Sequence, residues 1–279
     1  MRISQHLRAA GVQRYFHRRG PKWYTTAQLV LGLAVREAYR LSYRESARFL
    51  DEYYNLSVHW TTLQKAAARL PAWFWHRVLR LTAPVESMLA AIDATGYACR
   101  NPSEHYLRRI DGVRPAVPVK LSVLVDTDSR RVLAARVRLR PAGDVRDVHG
   151  LVQRSHTRPW SIVMDKGYDS EPLHEWLDSR GIWSISPPRK GAVRGAHRLQ
   201  LRDAMPEAEY GQRNMVEAVF KSLKGRFGGH VRARKACTVR AELMLRLIIH
   251  NIRTTILTYF LHTQHTVNIY KHHRPRSNQ

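Results

Sequence analysis

At Met88 the spacing of apolar residues changes from the period of a helix to that of a strand. This change limits the possible folds more than any other feature of the chain. Before it, Thr25–Tyr39 sets Leu29, Leu33 and Val35 at helical spacing behind a Thr cap. Ser42–Leu50 opens on Ser with Glu45 three residues on, the capping-box pattern, and Ser57–Leu70 reads as another Ser-capped helix ended by Pro71. After it, Met88–Gly96 is an apolar strand, and Val117–Asp126 and Arg131–Leu139 alternate on either side of a short turn, as a hairpin does. Helix and strand then take turns: Asp144–Gln153, Trp160–Met164, Pro172–Arg180 with Gly181 as its cap, and Ile182–Ser186. The expected fold class is α/β, a mixed sheet flanked by helices and preceded by a small all-α region over residues 1–87.

Charge narrows the partner. With 47 Lys+Arg against 22 Asp+Glu the net charge is +25, while 44% hydrophobic residues supply a core. A folded protein this basic is expected to bind a polyanion, double-stranded DNA first, because neutralised phosphates release counterions. The longest apolar run, Leu243–Ile249, falls far short of the ~20 residues a membrane span needs. Met1–Gly20 is polar and Arg-rich, unlike a secretory leader, and the two cysteines are too few for a disulfide framework. A cytoplasmic location is the expectation.

Against this background three acids stand out: Asp93 and Asp165, each after an apolar strand-like run, and Glu217 on a helix. Carboxylates on separate elements suit divalent cations, which are hard and take oxygen ligands. Glu207–Arg226 reads as one helix closed by Gly228-Gly229. At about 100° per residue, Tyr210, Arg213, Glu217 and Lys224 fall within an arc of roughly 60°. Met215, Val216, Val219, Phe220 and Leu223 gather on the opposite side. Residues 187–206 read as a basic loop presenting Arg189, Lys190 and Arg194 to DNA. The pair of short helices before Pro71 is similar to a helix-turn-helix, with Thr61, Gln64 and Lys65 on its second member. Asp144 and Asp147 read as helix N-terminal acids, and Val239–Phe260 as a long apolar helix before a basic tail at 263–279.

The spacing Tyr-x2-Arg-x3-Glu-x6-Lys at Tyr210, Arg213, Glu217 and Lys224 resembles the C-terminal signature of the DDE transposases of prokaryotic insertion sequences, which are RNase H-like enzymes. Asp93 before Thr95-Gly96-Tyr97, and the run Asp165-Lys166-Gly167-Tyr168-Asp169-Ser170, agree with it. The resemblance implies a catalytic domain over residues 88–262, with Asp93 on the central strand, Asp165 on its neighbour and Glu217 on a helix packed against both. It implies that these three hold two Mg²⁺ or Mn²⁺ ions for phosphoryl transfer on transposon ends and target DNA. Tyr210, Arg213, Lys224 and Lys166 would contact DNA, and the protein would act as a homodimer or higher assembly. Alternatives are a metal-dependent DNA nuclease, or a catalytically silent DNA-binding relative on the same fold. A tyrosine recombinase built on His250, Arg253 and Tyr259 or Tyr270 is a further contender, although packing also explains those positions.

Overall fold

The computed structural model describes residues 5, 7–8, 11–16, 22–99, 119–140 and 143–272, with side chains up to 260. The expected strand start at Val117 and the tail beyond 272 lie outside the described residues. Four helices come first: α1 (Thr26–Ala38), α2 (Tyr43–Tyr54), α3 (Trp60–Arg69) and α4 (Ala72–Thr82). Thr25 and Ser42 each close a capping box, with Gln28 and Glu45 answering from the third helical position. Helix α2 runs four residues past the expected end, because Asp51–Tyr54 stay helical until Asn55 turns left-handed at φ 48°. Helix α3 starts later than Ser57 predicts. Val58 is drawn into the core, and His59 becomes the cap by accepting the Thr61 N–H.

The mixed sheet then forms from β1 (Leu89–Cys99), β2 (Val119–Asp126), β3 (Val132–Arg138), β4 (Ser161–Met164), β5 (Trp183–Ile185) and the short β6 (His230–Val231). Its order is β3-β2-β1-β4-β5, and β6 pairs with the end of β1. The first three strands are antiparallel and β4 and β5 run parallel to β1, the RNase H-like architecture. Between strands lie α5 (Val145–Arg154) and α6 (Glu171–Asp178), and α7 (Ala196–Asp203), α8 (Glu207–Gly211) and α9 (Asn214–Phe227) follow β5. The long α10 (Ala236–His272) closes the chain and extends well beyond Phe260, into the stretch expected to be a tail.

Period-2 alternation along the strands sends alternate residues into two cores. Ala90, Ile92, Leu124, Ile162 and Met164 pack against α5 and α6. Ala91, Val123, Val163 and Ile185 face α9 and α10, and that core continues without a break into α1–α4. The boundary near residue 87 therefore separates periodicities, not hydrophobic cores. No helix among the described residues is long and apolar enough to cross a membrane.

Candidate active site

The central pairing of the sheet organises the site. Ile92 pairs with Met164 in the parallel β1–β4 ladder, so Asp93 and Asp165, one residue further on, sit side by side on adjacent strands. In-register residues of parallel strands point to one face. Here that face is the one covered by α9, because Ala91 and Val163, two residues back, lie in its core. Helix α9 buries Val216, Val219, Phe220 and Leu223 against the sheet and leaves Glu217 outside, in its first turn. The three acids thus come from separate elements that meet.

Their electrostatics show that they feel one another. Burial pushes the Asp93 carboxyl above its ordinary pKa, and the charges of Asp165 and Glu217 push the same way. The Ala94 N–H, which donates to Asp93 Oδ1 at 2.7 Å, and Arg213 pull it back. Arg213 lies between two of the acids, donating to Glu217 Oε1 at 2.6 Å with an Nη 3.8 Å from Asp93 Oδ2. Among the described residues no three His, Cys, Asp or Glu side chains form a ready-made metal cluster. The donor chemistry nonetheless fits hard divalent cations: three carboxylates, and a local excess of negative charge now met by one guanidinium.

The expected single helix 207–226 is broken. Gln212 and Arg213 are bonded to residues three back, Glu209 and Tyr210, as in a 3₁₀ turn, and this turn separates α8 from α9. Tyr210 therefore belongs to the short α8, Arg213 caps α9, and only Glu217 and Lys224 share its helical face. Lys224 lies over the Tyr97 ring at 5.6 Å, half-buried against β1.

The basic segment after β5 is not a plain loop, because it contains α7. It is clamped onto the strand end that carries Asp165. Arg198 grips the buried Asp169 with Nε and Nη2, at 2.7 and 2.8 Å, and the Arg189 N–H donates to the same carboxylate at 2.8 Å. Glu171 accepts the N–H groups of His197 and Arg198, so it caps α7 from a distance. Gly195, at φ +99°, leaves room there that a Cβ would take from the Glu171 carboxylate. Ser186 Oγ donates to the Asp165 carbonyl at 2.8 Å. Lys166 is exposed in the 3₁₀ turn after Asp165, Arg189 reaches the Gly167 carbonyl, and Lys190 and Arg194 stand in solvent.

Thr61, Gln64 and Lys65 lie elsewhere, on α3. Thr61 is engaged with its cap, His59. Gln64 and Lys65 open onto a groove of about 500 Å³ that Arg36, Arg232, Arg234 and Lys235 also line. His250 is buried with its Nε2 3.0 Å from the Arg130 carbonyl oxygen, so packing accounts for the position that suggested a tyrosine recombinase.

Two features were not anticipated from sequence. Asp147, expected at a helix N-terminus, is a fully buried hub receiving Ser122, Lys120, Arg136 and Arg138. Tyr168 is buried with a hydroxyl that has no partner among the described residues. Burial, then Asp144, Asp93, Asp147 and Asp165, push its pKa upward. The spacing Ser122/Arg136/Arg138, alternating on one sheet face, was the available signal for the first.

Several solved structures are similar to the chain, among them the following. A piggyBac transposase synaptic complex with hairpin DNA superposes with a TM-score of 0.47 at 10% identity, over 89% of this chain and 70% of that one. The catalytic core domain of BIV integrase gives a TM-score of 0.33 at 18% identity, over 58% of this chain and 82% of that one. A simian T-cell lymphotropic virus intasome in complex with PP2A regulatory subunit B56 gamma gives 0.34 at 14% identity, over 70% and 66%. Residues 86–252, well over half of the chain, match the family described as Transposase DDE domain, and the protein belongs to that family.

Proposed function

We propose that the protein is an insertion-sequence transposase that cuts transposon ends and joins them to target DNA, with Asp93, Asp165 and Glu217 as its catalytic and metal-binding groups. The observation that supports this best is the β1–β4 register, which sets two acids from distant segments side by side under the helix of the third. Mg²⁺ or Mn²⁺, two ions in the full reaction, would supply Lewis acidity at the attacking and leaving oxygens. Asp93 and Asp165 would hold the reacting phosphate's counter-charge on a rigid sheet. Arg213 would exchange its carboxylate partners for a DNA phosphate, which its fork binds bidentately. Tyr210 and Lys224 flank that path. Lys166, Arg189, Lys190 and Arg194 would follow the DNA backbone, while Gln64, Lys65 and Thr61 would meet duplex DNA from the N-terminal helices. The reading includes a division into an N-terminal DNA-binding region, a catalytic domain and a basic tail, and a homodimer or larger assembly on DNA.

The Arg213–Glu217 ion pair favours a second reading, a relative that binds DNA without cutting it. One assay separates the two. With Mg²⁺ and a duplex carrying the element's ends, the wild-type protein should cleave, and EDTA should stop it. Asp93→Asn, Asp165→Asn and Glu217→Gln should each lose at least about 10³-fold in rate and keep DNA affinity. A wild-type protein that binds the ends and never cuts them sinks the catalytic proposal, and a variant that still cuts removes its residue from the site.

A further inference from the structure

A cavity of about 150 Å³ lies at the outer edge of β3, between α4, α5 and α10, away from the three acids. Trp75 and His76 of α4, Arg136 of β3, Arg154 of α5 and Arg240 of α10 line it, and no Asp or Glu does. Its polar lining is almost all donor. Arginine and tryptophan side chains donate hydrogen bonds and accept none. Trp75 is 1% exposed, and its indole N–H has no acceptor among the described residues. Arg240 is exposed and has no carboxylate partner among them.

The cations are also held close together. A Cβ on Gly150 would stand 2.5 Å from an Nη of both Arg136 and Arg154, so the absent side chain lets two guanidiniums lie over one residue. Arg136 holds its Nε 3.1 Å from Asp147 Oδ1 in an ion pair, and Arg154 gives one N–H to the Gly150 carbonyl at 2.8 Å. Asp147 must also serve Lys120 and Arg138, so positive charge remains in excess. His76 records this: burial first, then Arg154 and Arg80, push its pKa down to about 4.

We infer that this cavity is a phosphate-binding site in which the guanidiniums of Arg136, Arg154 and Arg240 surround one phosphate group. A water takes up about 30 Å³ of liquid, so the space admits a phosphate with a few waters. The phosphate belongs either to a DNA backbone or to a free phosphate monoester. The site needs neither catalytic metal nor cleavage, so it stands independently of the proposed chemistry.

The test titrates inorganic phosphate into the full-length protein by calorimetry at low ionic strength. Arg240→Gln and Arg154→Gln should each weaken binding about ten-fold, whereas Arg253→Gln, an exposed change of equal charge, should leave it within two-fold. Arg240→Lys should keep much of it, and melting curves check that each variant folds. A second arm measures affinity for a short duplex against salt. If the site seats a backbone phosphate, Arg240→Gln lowers the salt slope by about one. An unchanged slope with phosphate binding lost assigns the free monoester. Equal phosphate affinity in wild type, Arg240→Gln and Arg154→Gln overturns the inference.

Discussion

At the scale of single residues the site trades stability for charge. Asp93 has its carboxyl pushed above the usual range by burial and by the neighbouring acids. Between its unfolded and folded values the native state binds more protons than the unfolded one, so stability falls as pH rises through that window. Above it, the ionised group carries the whole penalty. Asp93→Asn removes the charge and keeps the shape, so it should melt at or above the wild-type temperature at neutral pH while losing cleavage. Its advantage should shrink as pH drops through the carboxylate range. A variant that melts several degrees lower at pH 7 contradicts this account. The position of Asp93 was legible because one polar side chain interrupts the apolar run from Met88 to Ile92, although β1 continues past it to Cys99. The burial of Asp147 was not, because only the sheet brings Lys120, Arg136 and Arg138 to it.

At the scale of elements, what escaped the sequence was support from remote residues. Strands β1, β2 and β3 show plainly as apolar runs because both sheet faces are buried. Helix α7 hid inside a Gly- and Arg-rich stretch because its cap, Glu171, comes from another helix. The break between α8 and α9 escaped because residues 210–214 contain no proline, and a 3₁₀ turn keeps near-helical dihedrals. The clamp on α7 yields its own prediction. Asp169 is buried and takes both prongs of Arg198, so Asp169→Asn forfeits the charged pair that fastens the segment. Trypsin should then cut at Arg189, Lys190 or Arg194 faster than in wild type while the melting temperature of the whole chain moves little. Since Ser186 ties the same region to the Asp165 carbonyl, DNA cleavage should slow as well. Unchanged proteolysis would show that the clamp does not hold the segment.

At the scale of the whole molecule, the N-terminal helices and the sheet are joined by more than apolar contact. Glu37 on α1 is 1% exposed and accepts Arg246 Nε at 2.8 Å from α10, and Arg232 Nη2 at 2.9 Å from the segment after β6. Arg246, also 1% exposed, gives another N–H to Glu242 at 2.5 Å. A buried pair of this kind adds little over an apolar replacement, but removing one partner strands the other's charge, at about 3–5 kcal/mol. Glu37→Ala should therefore lower stability by about that much in urea unfolding. Because one core runs from α1 through α4 onto the sheet, the loss should appear as an earlier single transition, seen alike by Trp fluorescence and by far-ultraviolet dichroism. Two separated transitions, with the helices leaving first, would mean that the regions fold independently and that the Glu37–Arg246 pair is a docking contact between them. Coincident transitions would mean that α3, with Gln64 and Lys65, is held rigidly relative to Asp93, Asp165 and Glu217. DNA gripped at one surface would then be presented to the other at a fixed distance.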